Sequence, residues 1–159
     1  VDYAFPWSDL VAELKFRGAV GLARPLAQLL RAANGVDAAL EQADALIPLP
    51  LAPGRLRSRG YNQALELARA LEPAKVDPTL LLRTQDGPPQ RGLPRHERLH
   101  AVAQAFAVEP LQAPRIRNRH LVLVDDVMTT GASLHAAART LRQAGATHIT
   151  ALVLARTPP

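Results

Sequence analysis

Apolar and polar positions run along this chain in blocks that predict a helical opening, then strands and helices in alternation. In the opening segment, 1–35, Leu10, Val11, Leu14 and Phe16 form an apolar stripe, with Ser8 or Asp9 placed to cap the helix that carries it. Pro25 restarts the segment as a second helix through Leu26, Leu29 and Leu30, and Asn34-Gly35 signals a turn. Residues 43–49 read as a short buried strand stopped by Pro48 and Pro50. A loop follows, carrying Arg55, Arg57 and Arg59 between Pro53 and Gly60, and then a helix over 62–71 that buries Leu65, Leu67 and Leu71. A cationic loop between a strand end and a helix start sits where open α/β sheets bind ligands; a solvated basic turn is the plainer alternative.

Residues 79–82 supply another short apolar run. The stretch 84–94 is rich in glycine and proline and has little to bury, so it is expected to be a mobile loop, either an active-site lid or an excursion without function. A helix is predicted from Pro94 to about Phe106, a short strand over 106–108, and a polar connection over 110–120 containing Arg115, Arg117 and Arg119. Four aliphatic residues, Leu121 to Val124, then form a strand buried on both faces, ended by the adjacent acids Asp125 and Asp126. Leu134, Ala137, Ala138 and Leu141 keep a helical period closed by Gly145, and 147–155 is a final strand. This order predicts an α/β fold, a mostly parallel sheet flanked by helices, in a single domain over 1–159.

Composition trims the list of functions. With 159 residues the chain is long enough to bury a sizeable core, and its 48% hydrophobic and 21% charged content is ordinary for a globular protein. No apolar run reaches the roughly 20 residues of a membrane span, and no signal-peptide pattern is present. Cysteine is absent, which excludes disulfides, thiol catalysis and thiolate metal sites within these residues and fits a reducing cytoplasm. The net charge of +5 rests almost wholly on arginine, lysine occurring only at Lys15 and Lys75. That charge suits a nucleic acid, an anionic small substrate, or simply an Arg-rich codon bias.

The chemistry concentrates in Leu121 to Ser133, LVLVDDVMTTGAS. A strand that ends in acids and passes through hydroxyls and glycine into a helix can hold a sugar phosphate. The N–H groups and dipole of the helix start favour an anion, and ionised carboxylates accept from the hydroxyls of a diol. Neither lysine follows a GxxxxGK[ST] loop, which excludes a P-loop triphosphatase, and the GxGxxG spacing of a dinucleotide fold is missing. A receiver domain would need its acids near the start and a lysine after them. A purely structural turn would leave two adjacent repelling acids without a purpose.

VLVDDVMTTGAS resembles the phosphoribosyl pyrophosphate (PRPP) motif of type I phosphoribosyltransferases. The resemblance implies that Asp125 and Asp126 bind the ribose hydroxyls and orient Mg²⁺, largely through water, while Thr129, Thr130, Gly131, Ala132 and Ser133 wrap the 5-phosphate. IPLPLAPGRLRSRGYNQALELA is similar to the ComF/GntX group of that family, with its VPVP-like strand and R-x-R-G-[FY]-N-Q. Arg83-Thr84, Gln90, Gly92-Leu93, Arg98, Ala105-Phe106 and Leu154-Ala155-Arg156 agree with that group, as does Lys15 in the opening helix. The match spans about Lys15 to Arg156.

The resemblance implies transfer of phosphoribose from PRPP, with Arg57, Arg59 and Arg83 as pyrophosphate ligands and Arg57, Arg59 or Lys15 as candidates to stabilise the leaving group. It departs from the family at three places. His100 stands where the group usually has Asn. The paired cysteines that many members use for zinc are missing: either this member lacks that segment or it lies upstream of this sequence, which begins at Val1 rather than Met. Thr129 stands where purine-salvage relatives carry an Asp base, leaving His96 and His100 as candidates weighed against exposed helical histidines. Two readings follow: a Mg²⁺-dependent phosphoribosyltransferase with an unknown acceptor, or a non-catalytic PRPP-binding protein of DNA uptake in natural competence. Single-stranded DNA or competence machinery would be partners of the second, and a homodimer is compatible with both.

Overall fold

The computed structural model describes residues 1–84 and 105–157. The expected loop over 84–94, apart from Thr84, and most of the expected helix over 94–106 therefore lie outside the described residues, with Gln90, His96, Arg98 and His100. Among the described residues the sheet has three parallel strands in the order β1 (Ala45–Pro48), β4 (His120–Met128), β5 (His148–Arg156). Strand β4 is central: Ala45 to Pro48 pair in parallel with Leu121 to Val124, and His120 to Met128 pair with His148 to Arg156. β2 (Leu81–Arg83) and β3 (Phe106–Val108) stand apart as an antiparallel ribbon.

Burial along β4 explains the four-residue aliphatic run. Side chains alternate across a strand. Val122 and Val124 enter one core with helices α1 (Trp7–Phe16), α2 (Ala23–Arg31), α3 (Val36–Gln42) and α5 (Gln63–Leu71), through Leu14, Leu26, Leu40 and Leu67. Leu121 and Leu123 enter a second core, built with Leu81, Phe106, Ile116 and the Leu134 and Leu141 side chains of α6 (Ala132–Gln143). Neither face is wetted, so no polar position interrupts the run. Removing a side chain such as Leu123 from such a core costs about 2–5 kcal/mol.

Several expectations are corrected. The arginine-rich stretch is not a loop but a helix, α4 (Pro53–Arg59), with Pro53 in its first turn and Gly60 in the left-handed region (φ +83°) as its C-cap. Proline at the start and glycine at the end are helix punctuation, and the short polar stretch between them concealed the period. Strand β4 continues through the acids to Met128, so Asp125 and Asp126 lie within it rather than ending it. The first helix begins at Trp7, so Ser8 and Asp9 lie inside its first turn, where Asp9 complements the dipole. Phe16, assigned to the apolar stripe, is exposed. Leu65 is half-buried, while Gln63 is buried on the same helix. The opening segment is not wholly apart from the sheet, because Asp2 bridges Arg156 beside β5 and Tyr3 N–H donates to Arg156 O at 2.7 Å. The polar connection before β4 contains a 3₁₀ stretch, Pro110–Arg115, followed by the fully buried Ile116.

Candidate functional site

Because β4 runs on to Met128, its two acids point to opposite faces of the sheet. Asp126 shares the side of Val122 and Val124, towards α1 and α5, and only 2% of it is exposed. Lys15 Nζ lies 2.9 Å from its Oδ2, and Gln63 Nε2 donates to Oδ1 at 3.4 Å. Asp125 points the other way, is half-buried, and accepts at Oδ1 from the Asp126 N–H at 2.9 Å. Burial, and after it the neighbouring Asp126 carboxylate, push the Asp125 carboxyl up to about 7.

The cationic wall opposite is assembled from three stretches. Asn62 caps α5 by accepting from Ala64 N–H at 2.9 Å and ties it to the end of β1 by donating to Leu49 O at 3.1 Å. This sets Gln63 beneath the acids and turns α4 towards the end of α1. Arg59 donates to Gln63 Oε1, and its Cζ lies 5.2 Å from the centre of the Phe16 ring. Tyr61 donates its hydroxyl to Leu14 O, one residue before Lys15. Arg83, at the end of β2, has its Cζ 5.2 Å from the centre of the Phe106 ring.

The third component is the turn from β4 into α6. Gly131 is its left-handed hinge (φ +73°), and a Cβ there would meet Met128 Sδ and His135 Nδ1 at 3.5 Å. Thr130 Oγ1 accepts from Ala132 N–H at 3.4 Å, and His135 N–H donates to Gly131 O at 2.9 Å as the helix starts. Its free N–H groups and dipole favour an anion.

These parts surround one cleft of about 660 Å³, the size of a small-molecule site. Of the residues singled out from sequence, it brings together Lys15, Arg59, Arg83, Asp125, Asp126 and Ser133. Thr129 and Thr130 are exposed on the turn and, like Gly131 and Ala132, border the cleft through their neighbour Ser133 rather than lining it. Arg57 is exposed and lies outside the lining. Arg55, one helical turn before Arg59, lines it instead, as do Phe16, Ser58, Tyr61 and Gln63. Sequence reasoning missed Arg55 as a site residue because a loop has no face, whereas on a helix i and i+4 share one. Gln63, a polar side chain on the apolar face of α5, was the visible sign of a buried partner.

The family model described as "Phosphoribosyl transferase domain" matches residues 54–158. The chain belongs to this family. Among curated relatives, competence protein F of Haemophilus influenzae is 35% identical, over 97% of this chain and 69% of that protein. DNA utilization protein YhgH of Escherichia coli K12 is 32% identical, over 98% of this chain and 70% of that protein. Competence protein ComFC of Bacillus subtilis is 33% identical, over 63% of this chain and 39% of that protein. Among solved structures, the glutamine PRPP amidotransferase of B. subtilis, complexed with ADP and GMP, superposes with a TM-score of 0.51 at 18% identity, over 83% of this chain and 26% of that one. This likeness establishes the type I phosphoribosyltransferase fold. Among the described residues no helix is long and apolar enough to cross a membrane.

Proposed function

We propose that the cleft binds PRPP and Mg²⁺ and transfers phosphoribose to an acceptor still to be identified. The observation that carries this reading is the convergence, in one cleft of a phosphoribosyltransferase domain, of Asp125, Ser133 and the cations Arg55, Arg59 and Arg83. In the reaction the bond from ribose C1 to the pyrophosphate oxygen breaks and a bond from C1 to the acceptor forms. Positive charge grows on the sugar while the leaving group takes the electron pair.

Each part of the site has a task in that step. Asp125 and Asp126 belong to the ribose end, where carboxylates accept from hydroxyls. The 5-phosphate goes to Thr129–Ser133, on backbone N–H groups at the start of α6. Pyrophosphate goes to the arginine wall, where Arg59, held by Gln63 and the Phe16 ring, presents a guanidinium fork. Arg57, exposed away from the lining, is at most an outer electrostatic contributor. The donor set fits magnesium: Asp125 brings a hard carboxylate donor to the cleft, and Mg²⁺ characteristically takes one or two carboxylates, waters and substrate phosphates. When bound, the ion supplies charge neutralisation at the leaving pyrophosphate. Thr129 cannot act as a base near neutral pH, so the acceptor either needs none or finds one elsewhere.

The test is calorimetric titration of PRPP with Mg²⁺ into wild type and Asp125→Asn/Asp126→Asn. Heat from wild type and none from the variant is expected; no heat from wild type would sink the reading. The names of the relatives, a competence protein and DNA utilization proteins, favour a second reading: a PRPP-binding protein without turnover that serves DNA uptake, with single-stranded DNA or competence machinery as partner. Pyrophosphate release separates the two. Release stimulated by a member of a panel of bases and amines supports the enzyme, and PRPP binding with no stimulated release supports the second. Either reading implies the cytoplasm as the working compartment.

A further inference from the structure

The acidic pair is not symmetrical in its surroundings. Asp126 is almost wholly buried, and its Oδ2 accepts no hydrogen bond among the described residues. What faces that oxygen is the Lys15 ammonium at 2.9 Å, itself mostly buried with 18% of its side chain exposed. Gln63 Nε2 takes the other oxygen. Lys15 is not a loose surface cation that happens to reach inward. Its helix is pinned on both sides of it, at Leu14 O by the Tyr61 hydroxyl and at Phe16 by the Arg59 guanidinium. The lysine also comes from outside residues 54–158, the part that matches the phosphoribosyltransferase domain, so the opening segment completes the site.

A buried carboxylate without a fixed partner is strongly penalised, and a partner at contact offsets the penalty only when it is held in place. The pinning of α1 holds this one. A divalent ion placed on the same oxygen would meet the ammonium at close range, where like charges in a poorly screened interior repel strongly. The two acids of the motif therefore have different work.

We propose that Lys15 is a built-in cation that occupies Asp126 in place of a metal, leaving Asp125 as the one carboxylate of the pair open to ligand hydroxyls and metal-bound water. Lys15 is then a positioning residue, acting on ligand through Asp126, rather than a pyrophosphate contact. The inference deepens the PRPP reading and rests on it for the identity of the ligand. The ion pair itself is tested without PRPP.

The experiment measures Mn²⁺ binding to the full chain by electron paramagnetic resonance of free Mn²⁺, in the absence of PRPP, with melting curves of the same samples. Lys15→Met is expected to bind Mn²⁺ about tenfold or more tighter than wild type, because the vacated Asp126 oxygen gains a charge to balance. Lys15→Met/Asp126→Asn is expected to fall back to the wild-type level. A folded Lys15→Met with unchanged Mn²⁺ affinity overturns the proposal. Should Lys15→Met fail to fold, recovery of a cooperative melt in the double variant supports the counter-ion role, and its failure to recover overturns it. PRPP titration of wild type, run alongside, shows separately whether the reading of the cleft fails: Mn²⁺ results of the expected kind with no PRPP binding would leave Lys15 its role and remove the ligand.

Discussion

The two sides of the cleft are built by different means. On one side the turn from β4 into α6 offers backbone: a left-handed Gly131, short hydroxyl side chains and the start of a twelve-residue helix, all within one contiguous stretch. On the other, Lys15, Arg55, Arg59, Gln63 and Arg83 come from α1, α4, α5 and β2 and act through their side chains. A backbone cradle tolerates little change of conformation but much change of side chain. A side-chain wall is the reverse, since its exposed arginines can be removed singly while the fold stands.

The largest break should come on the backbone side. Gly131→Val puts a β-branched residue at φ +73°, against Met128 and His135, at a cost of order 1–3 kcal/mol. PRPP affinity by calorimetry should fall about 100-fold or beyond detection, as the N–H groups of the turn leave their positions. Ser133→Ala in the same turn should cost only a few-fold, about 0.5–1 kcal/mol.

On the wall, Arg59→Ala removes a charged contact and also unties Gln63 and the Phe16 ring. A loss of about tenfold to a hundredfold in PRPP affinity, or 1.5–3 kcal/mol, is expected. Its melting temperature should fall by only a few degrees, which is the contrast with Gly131→Val.

A smaller effect follows from the raised Asp125 carboxyl. Its folded value of about 7 lies above its ordinary value of 3.8, so between them the folded protein binds more protons than the unfolded chain. Its contribution therefore favours folding at low pH and is lost as pH rises through about 7. Without ligand or metal, wild type should melt lower at pH 8 than at pH 5 by more than Asp125→Asn does. Equal pH slopes would remove the burial argument.

The smallest effect sharpens the wall. Arg57→Ala should change stability and PRPP binding by no more than about 0.5 kcal/mol at 0.15 M salt, while Arg55→Ala weakens binding several-fold. If Arg57 proves the stronger of the two, the face of α4 that carries Arg55 and Arg59 is not the one that meets the ligand.

The same contrast explains what was legible beforehand. The turn announced itself because its strand, acids, hydroxyls and glycine are consecutive, and the apolar run Leu121–Val124 could only be a strand buried on two faces. Parallel order and flanking helices followed from the alternation of segments. The wall was read only in part. Arg55 and Arg59 share a face because 53–59 is helical, and seven residues without a buried apolar side chain gave no period to detect. The division between Asp125 and Asp126 depended on β4 continuing past them, which no local propensity announces, since acids are poor strand formers. The partnership of Lys15 with Asp126 joins residues far apart in the chain and has no local signature at all.

The central position of β4 also bears on how the molecule is made. Its partners, β1 and β5, arrive far before and just after it, and Tyr3 N–H closes on Arg156 O, at the residue of β5 that pairs with Met128. Contacts of such long span are slow to form, because the loops must close before the pairing rewards them. During synthesis β1, with Leu46 and Ile47 fully buried in the finished fold, leaves the ribosome long before β4 exists to cover its edge. The binding site is thus complete only once β4 and the turn after it have been made. A truncated or stalled product would expose aliphatic strand edge while lacking any ability to hold ligand, and would be a substrate for chaperones and proteases.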